Sequence, residues 1–275
     1  MRFDLIALDL DDTLLHRDLS ISEANRLALR KAHGGGAKIV LASGRNIHSM
    51  GKYARLLGVA GPDDYIIATN GAEIVETATG RVLAETRMDG GLCLEVAAAI
   101  EDRGFPWQIY VGGKILFHGE NPWTDLDSKL SGLPNEAVAD VKAALSPGQL
   151  KFVVPGDPER IPSLRLELLD LFAGRVEIIT SKPYFMEILA AGADKGSALV
   201  HLASLLGIGI ERCLAMGDAM NDLGMLEAAG FSCAPANALP AAKAAASWVS
   251  ALTNDEDFVA DALARWLPAD APVPR

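Results

Sequence analysis

The sequence predicts an α/β fold, a doubly wound and mostly parallel sheet interrupted by an inserted α+β domain. Three observations carry that reading. Residues 3–71 alternate short apolar, β-branched runs with helical stretches in the order β-α-β-α-β, connections that place consecutive strands in parallel. From Ala72 the rhythm changes to short alternating runs, and near Gly192 the first rhythm returns. Two apolar runs, one towards each end of the chain, stop abruptly on carboxylates, at Asp9-Leu10-Asp11 and at Gly217-Asp218. Ligands of open α/β sheets gather beyond the carboxyl ends of the strands, so chemistry is expected to begin there.

Taken in order, the run ending at Leu8 reads as a buried strand, because parallel strands are apolar on both faces. Ser20 and Glu23 make an S-x-x-E capping signature before a helix over Ala24–His33, which Gly34-Gly35-Gly36 ends. A strand over Ala37–Ala42 runs into Ser43-Gly44-Arg45, and a helix over Asn46–Leu57 is closed by Gly58. The strand Tyr65–Thr69 then meets Asn70-Gly71. Short runs at Glu73–Thr77 and Arg81–Thr86 flank a turn at Thr79-Gly80, and a helix follows over Asp89–Arg103. Trp107–Val111 and Lys114–His118 are strands joined by Gly112-Gly113, a two-residue hairpin signal. Helices over Glu136–Leu145 and Pro158–Phe172 alternate with strands over Gln149–Val154 and Arg175–Thr180. The last third reads as a helix over Lys195–Leu206, a strand over Arg212–Met216, helices over Leu239–Ala246 and Asp255–Leu267, and a frayed Pro/Ala tail over Pro268–Arg275. The expected division is a core of residues 1–83 and 190–275, split by an inserted domain at 84–189.

Composition narrows the classes of function. Half of the 275 residues are hydrophobic and 22% are charged, which suits a chain with a sizeable core. A formal charge of −11, with no Lys/Arg run, repels a phosphate backbone and argues against nucleic acid. Asp4 stands where a leader would be basic. The longest apolar-rich segment, Ala198–Ile210, carries His201 and Ser204 and is too short to span a bilayer. The expectation is a cytoplasmic protein without membrane partners; its oligomeric state is not legible. Cys93, Cys213 and Cys233 are odd in number and widely spaced, which weighs against disulfides or a zinc site.

Asp-x-Asp at a strand end can present a side chain and a backbone carbonyl towards one point, a donor set suited to Mg²⁺. On its own it is equally an acidic turn. Gly217-Asp218-x-x-Asn221-Asp222 supplies a second cluster. If both strands share a parallel sheet, Asp218 can complete the metal shell while Asp222 orients a ligand from behind it. Read singly, Asp222 is also a helix-dipole charge and Asn221 a cap. Ser43-Gly44 combines a hydroxyl, a glycine amide and a helix start, which suits an anion, although Ser43 alone can be a cap. Lys195 places a cation at a helix start, where an anionic neighbour is expected; the plain alternative is a surface lysine.

Taken jointly, Asp9-x-Asp11-x-Thr13, Ser43-Gly44-Arg45, Asn70-Gly71-Ala72, Lys195-Gly196 and Gly217-Asp218-x-x-Asn221-Asp222 resemble the haloacid dehalogenase-superfamily hydrolases, closest to the Cof-like branch with its class IIB α+β cap. The resemblance covers residues 3–267 and implies a Rossmann-like core with a cap inserted after the third strand, closing over the phosphate pocket. It implies Asp9 as the nucleophile that forms an aspartyl-phosphate, and Asp11 as the general acid/base. It implies phosphoryl contacts from Leu10, Ser43, Gly44, Lys195 and Asn221, with Lys195 also screening Asp9. Mg²⁺ would be held by the Asp9 side chain, the Asp11 carbonyl and Asp218, with Asp222 behind them. Thr13 would fix the loop after the strand, while Asp12 has no catalytic role.

The implied activity is Mg²⁺-dependent hydrolysis of small phosphorylated metabolites such as sugar phosphates, nucleotides or phosphorylated cofactors. A sugar phosphomutase and a slow phospho-aspartate sensor are the alternatives. Trp107, Tyr110, His118, Trp123 and Tyr184 are candidate pocket residues in the insertion, with core packing the commoner fate of such side chains. Two departures from the family pattern stand out. Phe258 follows Asp257 where glycine is usual, which questions a local turn, and Ala236-Asn237-Ala238 stands for Gly-Asn-Ala.

Overall fold

The computed structural model describes residues 3–266, so the expected tail and Leu267 lie outside the described residues. Contacts divide the chain into two units, one of residues up to Ala84 together with those from Asp194 onward, the other of Glu85–Ala193. In chain order the first unit supplies β1 (Leu5–Leu8), α1 (Glu23–Gly34), β2 (Lys38–Ala42), α2 (Ile47–Leu57), β3 (Tyr65–Ala68), β4 (Glu73–Glu76) and β5 (Val82–Glu85, ending one residue across the division). The second unit holds α3 (Gly90–Glu101), β6 (Trp107–Val111), β7 (Lys114–His118), α4 (Leu126–Ser131), β8 (Asn135–Ala137), α5 (Val141–Leu145), β9 (Lys151–Pro155), α6 (Ile161–Leu171), β10 (Val176–Lys182) and β11 (Phe185–Ala190). The chain then returns with α7 (Lys195–Leu205), β12 (Cys213–Met216), α8 (Leu223–Ala228), β13 (Phe231–Ala234), α9 (Pro240–Ala245), β14 (Trp248–Val249) and α10 (Phe258–Trp266).

The first unit is built on one sheet in the order β14-β13-β12-β1-β2-β3-β4-β5. β14 through β3 are parallel and β4 runs antiparallel to β3. Alternate residues of β1 face opposite cores. Ile6 and Leu8 belong to the cluster with Met50, Tyr53 and Phe258, whereas Leu5 and Ala7 belong to the cluster with Leu199, Leu202 and Met225. A sheet buried on both faces needs apolar residues at every strand position, which is why these strands read as unbroken apolar runs.

Helix ends follow local chemistry. The cap of α1 is Ser22, whose Oγ accepts from the Asn25 amide at 3.1 Å, not the expected Ser20. The Ser20 amide donates to Asp18 Oδ1 at 2.9 Å, and the helix starts at Glu23, one residue before the expected Ala24, which puts an acid in the first turn where the dipole favours it. Asn46 caps α2 through the Ser49 amide at 3.0 Å, and Gly58 closes it at φ +74°.

The second unit is a six-stranded sheet in the order β10-β11-β9-β6-β7-β8. Gly112 and Gly113 both have positive φ, +57° and +79°, as the tight hairpin joining β6 to β7 requires. The single helix expected over 136–145 is divided. Residues 135–137 pair in parallel with β7, and Asp140 starts α5 by accepting from the Ala143 amide at 3.0 Å. β11 was not anticipated; it is buried at every position and apolar at all but Glu187, so it lacked an alternation to mark it, and it lies between β10 and β9. Trp107, Ile109, Phe152, Val154, Met186 and Ile188 pack with residues of α3 and α6. The alternate positions of the same strands include several polar side chains, Gln108, Lys151 and Glu187 buried and Tyr110 half-buried. Lys151 Nζ meets Glu187 Oε2 at 3.0 Å, Tyr110 Oη donates to Asp127 at 2.6 Å, and Gln108 donates to the Thr124 carbonyl at 2.7 Å. Trp107 is core, stacked on His118 at 5.4 Å.

Candidate active site

Register brings the acids together. Leu8 pairs with Met216 on one side and Leu41 on the other, and Leu41 pairs with Ile66, so four parallel strands end within two residues of one another. The next residues, Asp9, Ser43, Thr69 and Gly217-Asp218, therefore emerge from the same sheet edge. The Asp9 amide continues the ladder by donating to the Met216 carbonyl at 3.0 Å.

Lys195 opens α7 beside its cap, Asp194, whose Oδ1 accepts from the Gly196 and Ser197 amides at 2.8 and 3.0 Å. Its side chain is fully buried, and Nζ lies 2.6 Å from both Asp9 Oδ1 and Asp222 Oδ1. The second oxygen of Asp222 accepts from the Asp218 and Ala219 amides, each at 2.9 Å. Asp218 Oδ1 accepts from Thr13 Oγ1 at 2.7 Å. Carboxylate oxygens of Asp9, Asp218 and Asp222 all lie within 4.8 Å of one another.

Negative charge exceeds positive charge at this centre. Burial, helped by the carboxylates of Asp222, Asp218 and Asp11, holds the Asp9 carboxyl well above its ordinary range despite Lys195. Burial also pushes Asp218 up to about 7, with Asp222 and Asp12 adding to the rise and the Thr13 hydrogen bond opposing it. Burial alone would lower the Lys195 ammonium, but the Asp222 and Asp9 carboxylates outweigh it and hold the ammonium above its ordinary value. The lysine stays charged, and the surplus of carboxylates makes a site that favours a further cation.

Asp11 stands slightly apart. Arg45 grips it in a fork, Nε to Oδ2 at 2.8 Å and Nη2 to Oδ1 at 2.6 Å. The loop carrying Asp11 folds on itself, with the Leu15 amide donating to the Leu10 carbonyl at 2.8 Å and Asp12 at φ +58°. Two asparagines latch this loop from a distance. Asn237 donates to the Asp12 carbonyl at 2.8 Å and accepts from the Asn254 amide at 2.9 Å, while Asn254 Nδ2 donates to the Leu15 carbonyl at 2.8 Å. Ala236 has no positive φ, and the left-handed residue near the C-terminus is Asp257, so Phe258 starts α10 in the apolar core without turn strain.

Ser43, Gly44 and Asn221 form the other side of the site. Ser43 is buried and its Oγ accepts from the Arg45 amide at 3.2 Å. Asn221 Nδ2 donates to Asn70 Oδ1 at 2.9 Å, and the Asn70 amide donates to the Ser43 carbonyl at 3.0 Å. Arg45, Asn70, Asn237 and Asn254 were not among the site residues expected from sequence, although the first three stand inside motifs already quoted.

The fold and this constellation define a class. The sequence matches the haloacid dehalogenase-like hydrolase family over residues 6–263, and the chain belongs to that family, in its Cof-like branch. It is 30% identical to the phosphatase YwpJ of Bacillus subtilis, over 93% of this chain and 97% of that one. It is 29% identical to the 5-amino-6-(5-phospho-D-ribitylamino)uracil phosphatase YcsE of Bacillus subtilis, over 96% and 95%. Its structure superposes with a TM-score of 0.88 on a haloacid dehalogenase-like hydrolase from Bacteroides thetaiotaomicron, 29% identical over 96% of this chain and 99% of that one. The chain is an enzyme of the hydrolase class. No helix among the described residues is long and apolar enough to cross a membrane.

Proposed function

We propose that this protein is a Mg²⁺-dependent phosphatase that hydrolyses phosphomonoesters of small cytoplasmic metabolites through an aspartyl-phosphate on Asp9. One observation carries the reading: a carboxylate at a strand end, held by a fully buried lysine at 2.6 Å and ringed by more acids than that lysine can neutralise. The donor set fits Mg²⁺, because every candidate ligand is a hard oxygen and the excess negative charge calls for a cation. Asp9, the Asp11 carbonyl and Asp218 would hold it. Asp222, with both oxygens already engaged, would orient Lys195 and the Asp218 loop from behind. The ion, when bound, would neutralise charge on the phosphoryl oxygens.

The protein's own groups divide the work. An Asp9 carboxylate oxygen attacks phosphorus as the P–O bond to the substrate breaks, and Asp11 gives its proton to the departing oxygen. Water then attacks the phosphorus of the aspartyl-phosphate, Asp11 takes the water's proton, and Asp9 is released with inorganic phosphate. Lys195, Ser43, Asn221 and the Leu10 and Gly44 amides hold the phosphoryl oxygens through both steps. The unit Glu85–Ala193 would supply recognition of the organic part of the substrate.

The test is phosphate release from a chemically broad phosphoester panel, with Mg²⁺ and with EDTA. Release that EDTA abolishes and Mg²⁺ restores is the expected result; none with any member would remove the phosphatase reading. Isomerised sugar phosphate without free phosphate would point to a mutase.

A further inference from the structure

We propose that Asn70 is a positioning residue for phosphate: it holds the donor end of the Asn221 carboxamide beside the Ser43–Gly44 turn, where a phosphoryl dianion would sit. The inference rests on the phosphatase reading above. It starts from the backbone after β3, where Thr69, Asn70 and Gly71 have φ of +53°, +54° and +94°. Three successive left-handed residues are unusual, and a β-branched threonine among them is an outlier. For the two non-glycine residues such a backbone persists only where the surroundings over-determine it.

The surroundings are specific. The Thr69 amide donates to the Arg45 carbonyl at 2.9 Å and the Asn70 amide to the Ser43 carbonyl at 3.0 Å, fastening the turn along the Ser43–Arg45 loop. Gly71 presses on the start of α7, where a Cβ would stand 2.2 Å from the Asp194 carbonyl oxygen and 2.9 Å from the Lys195 amide. One strained turn thus touches the loop of Ser43 and the helix of Lys195.

The side chain it projects is buried and reaches a third segment. A Cβ on Gly44 would lie 3.0 Å from Asn70 Oδ1, and that oxygen accepts from Asn221 Nδ2 at 2.9 Å. An amide nitrogen carries two hydrogens. Asn70 takes one, which fixes the carboxamide plane and leaves the second N–H for a phosphoryl oxygen. The reversed amide would turn a carbonyl oxygen towards the anion.

Asn70→Gly tests this, since glycine accepts the left-handed backbone and deletes only the carboxamide. Each protein is measured for kcat and KM on p-nitrophenyl phosphate and, by calorimetry in Mg²⁺, for affinity to inorganic phosphate. In Asn70→Gly the KM and the phosphate Kd should each rise about tenfold, with kcat changed less than about threefold and Tm close to wild type. Asn221→Ala should raise the phosphate Kd at least as much and lower kcat as well, since Asn221 itself meets the phosphoryl group, and the double variant should bind phosphate no more weakly than Asn221→Ala alone, because both remove one coupled unit. Unchanged phosphate affinity in Asn70→Gly, or additive losses in the double variant, would overturn the proposal. Should Asn70→Gly not fold, wild-type phosphate affinity in Asn221→Ala overturns it from the other end. These failures differ from that of the phosphatase reading, in which the wild-type protein itself would release no phosphate.

Discussion

Asp9 sits where burial and three other carboxylates oppose its ionisation and a single ammonium favours it. A carboxyl whose folded pKa lies above its unfolded value stabilises the fold at low pH, and that stability is lost as pH rises through the folded value. At neutral pH and without metal, ionised Asp9 therefore works against folding. Asp9→Asn should cut turnover on the order of 10⁴-fold or more by removing the proposed nucleophile. Its Tm in EDTA should nonetheless equal or exceed that of wild type, because the amide brings no charge. Thermal melts and initial rates check both halves, and wild-type turnover would refute the nucleophilic role. Lys195→Met is the opposite case. It leaves Asp9 and Asp222 buried with no ammonium between them, and breaking a buried pair this way costs about 3–5 kcal/mol. Urea melts should show that loss, together with loss of turnover. The fork of Arg45 fixes where Asp11 sits while favouring its ionised form, so Arg45→Ala should change hydrolysis of alkyl phosphates, whose leaving oxygen needs a proton, more than that of p-nitrophenyl phosphate. An equal change in both would separate Arg45 from proton delivery.

The loop after β1 shows how far a linear reading reaches. Asp9, Asp11 and Thr13 were legible because a strand ending on acids is a local pattern. The latch that holds their loop was not, since Asn237 and Asn254 lie more than two hundred residues away and carry no periodicity that marks a hydrogen bond to the Asp12 and Leu15 carbonyls. Asn254→Ala should strand the buried Leu15 carbonyl and cost about 1–3 kcal/mol in urea melts, with a smaller fractional loss of kcat than Asp9→Asn. The same limit applied in the Glu85–Ala193 unit. There the hairpin at Gly112-Gly113 was readable from its turn, while β8 was absorbed into a helix because Asn135-Glu136-Ala137 has no strand propensity of its own and is held by pairing with β7. The Lys151–Glu187 pair was equally hidden, two charges at positions that alternation assigns to a sheet face without saying what covers it. Lys151→Met alone should destabilise by about 3–5 kcal/mol, and adding Glu187→Leu should recover most of that, since a buried pair replaced by packed apolar groups is often neutral.

Charge ties the site to the behaviour of the whole chain, whose formal net charge is −11. Much of that acid excess lies on surfaces where water screens it, but the share gathered at the ends of β1 and β12 is buried. Asp218 is pushed up to about 7 in the folded state, first by burial, against about 4 when unfolded, so the two states differ in bound protons between those values. The sign is fixed: the folded state binds the proton more tightly, so the metal-free protein should lose stability as pH rises from about 4 to 7. A divalent cation held at Asp9 and Asp218, as proposed, would reverse the gradient, because the ion would take the place of the proton and bind only the folded site. The Tm increase produced by a fixed Mg²⁺ concentration should therefore be small near about pH 5, grow through about pH 7 and level off above it, with apparent affinity rising up to tenfold per pH unit below the plateau. Asp218→Asn should remove most of the increase at every pH. Thermal melts in EDTA and in Mg²⁺ across this range read the effect directly, and a Mg²⁺ shift independent of pH and retained in Asp218→Asn would take Asp218 out of the metal shell.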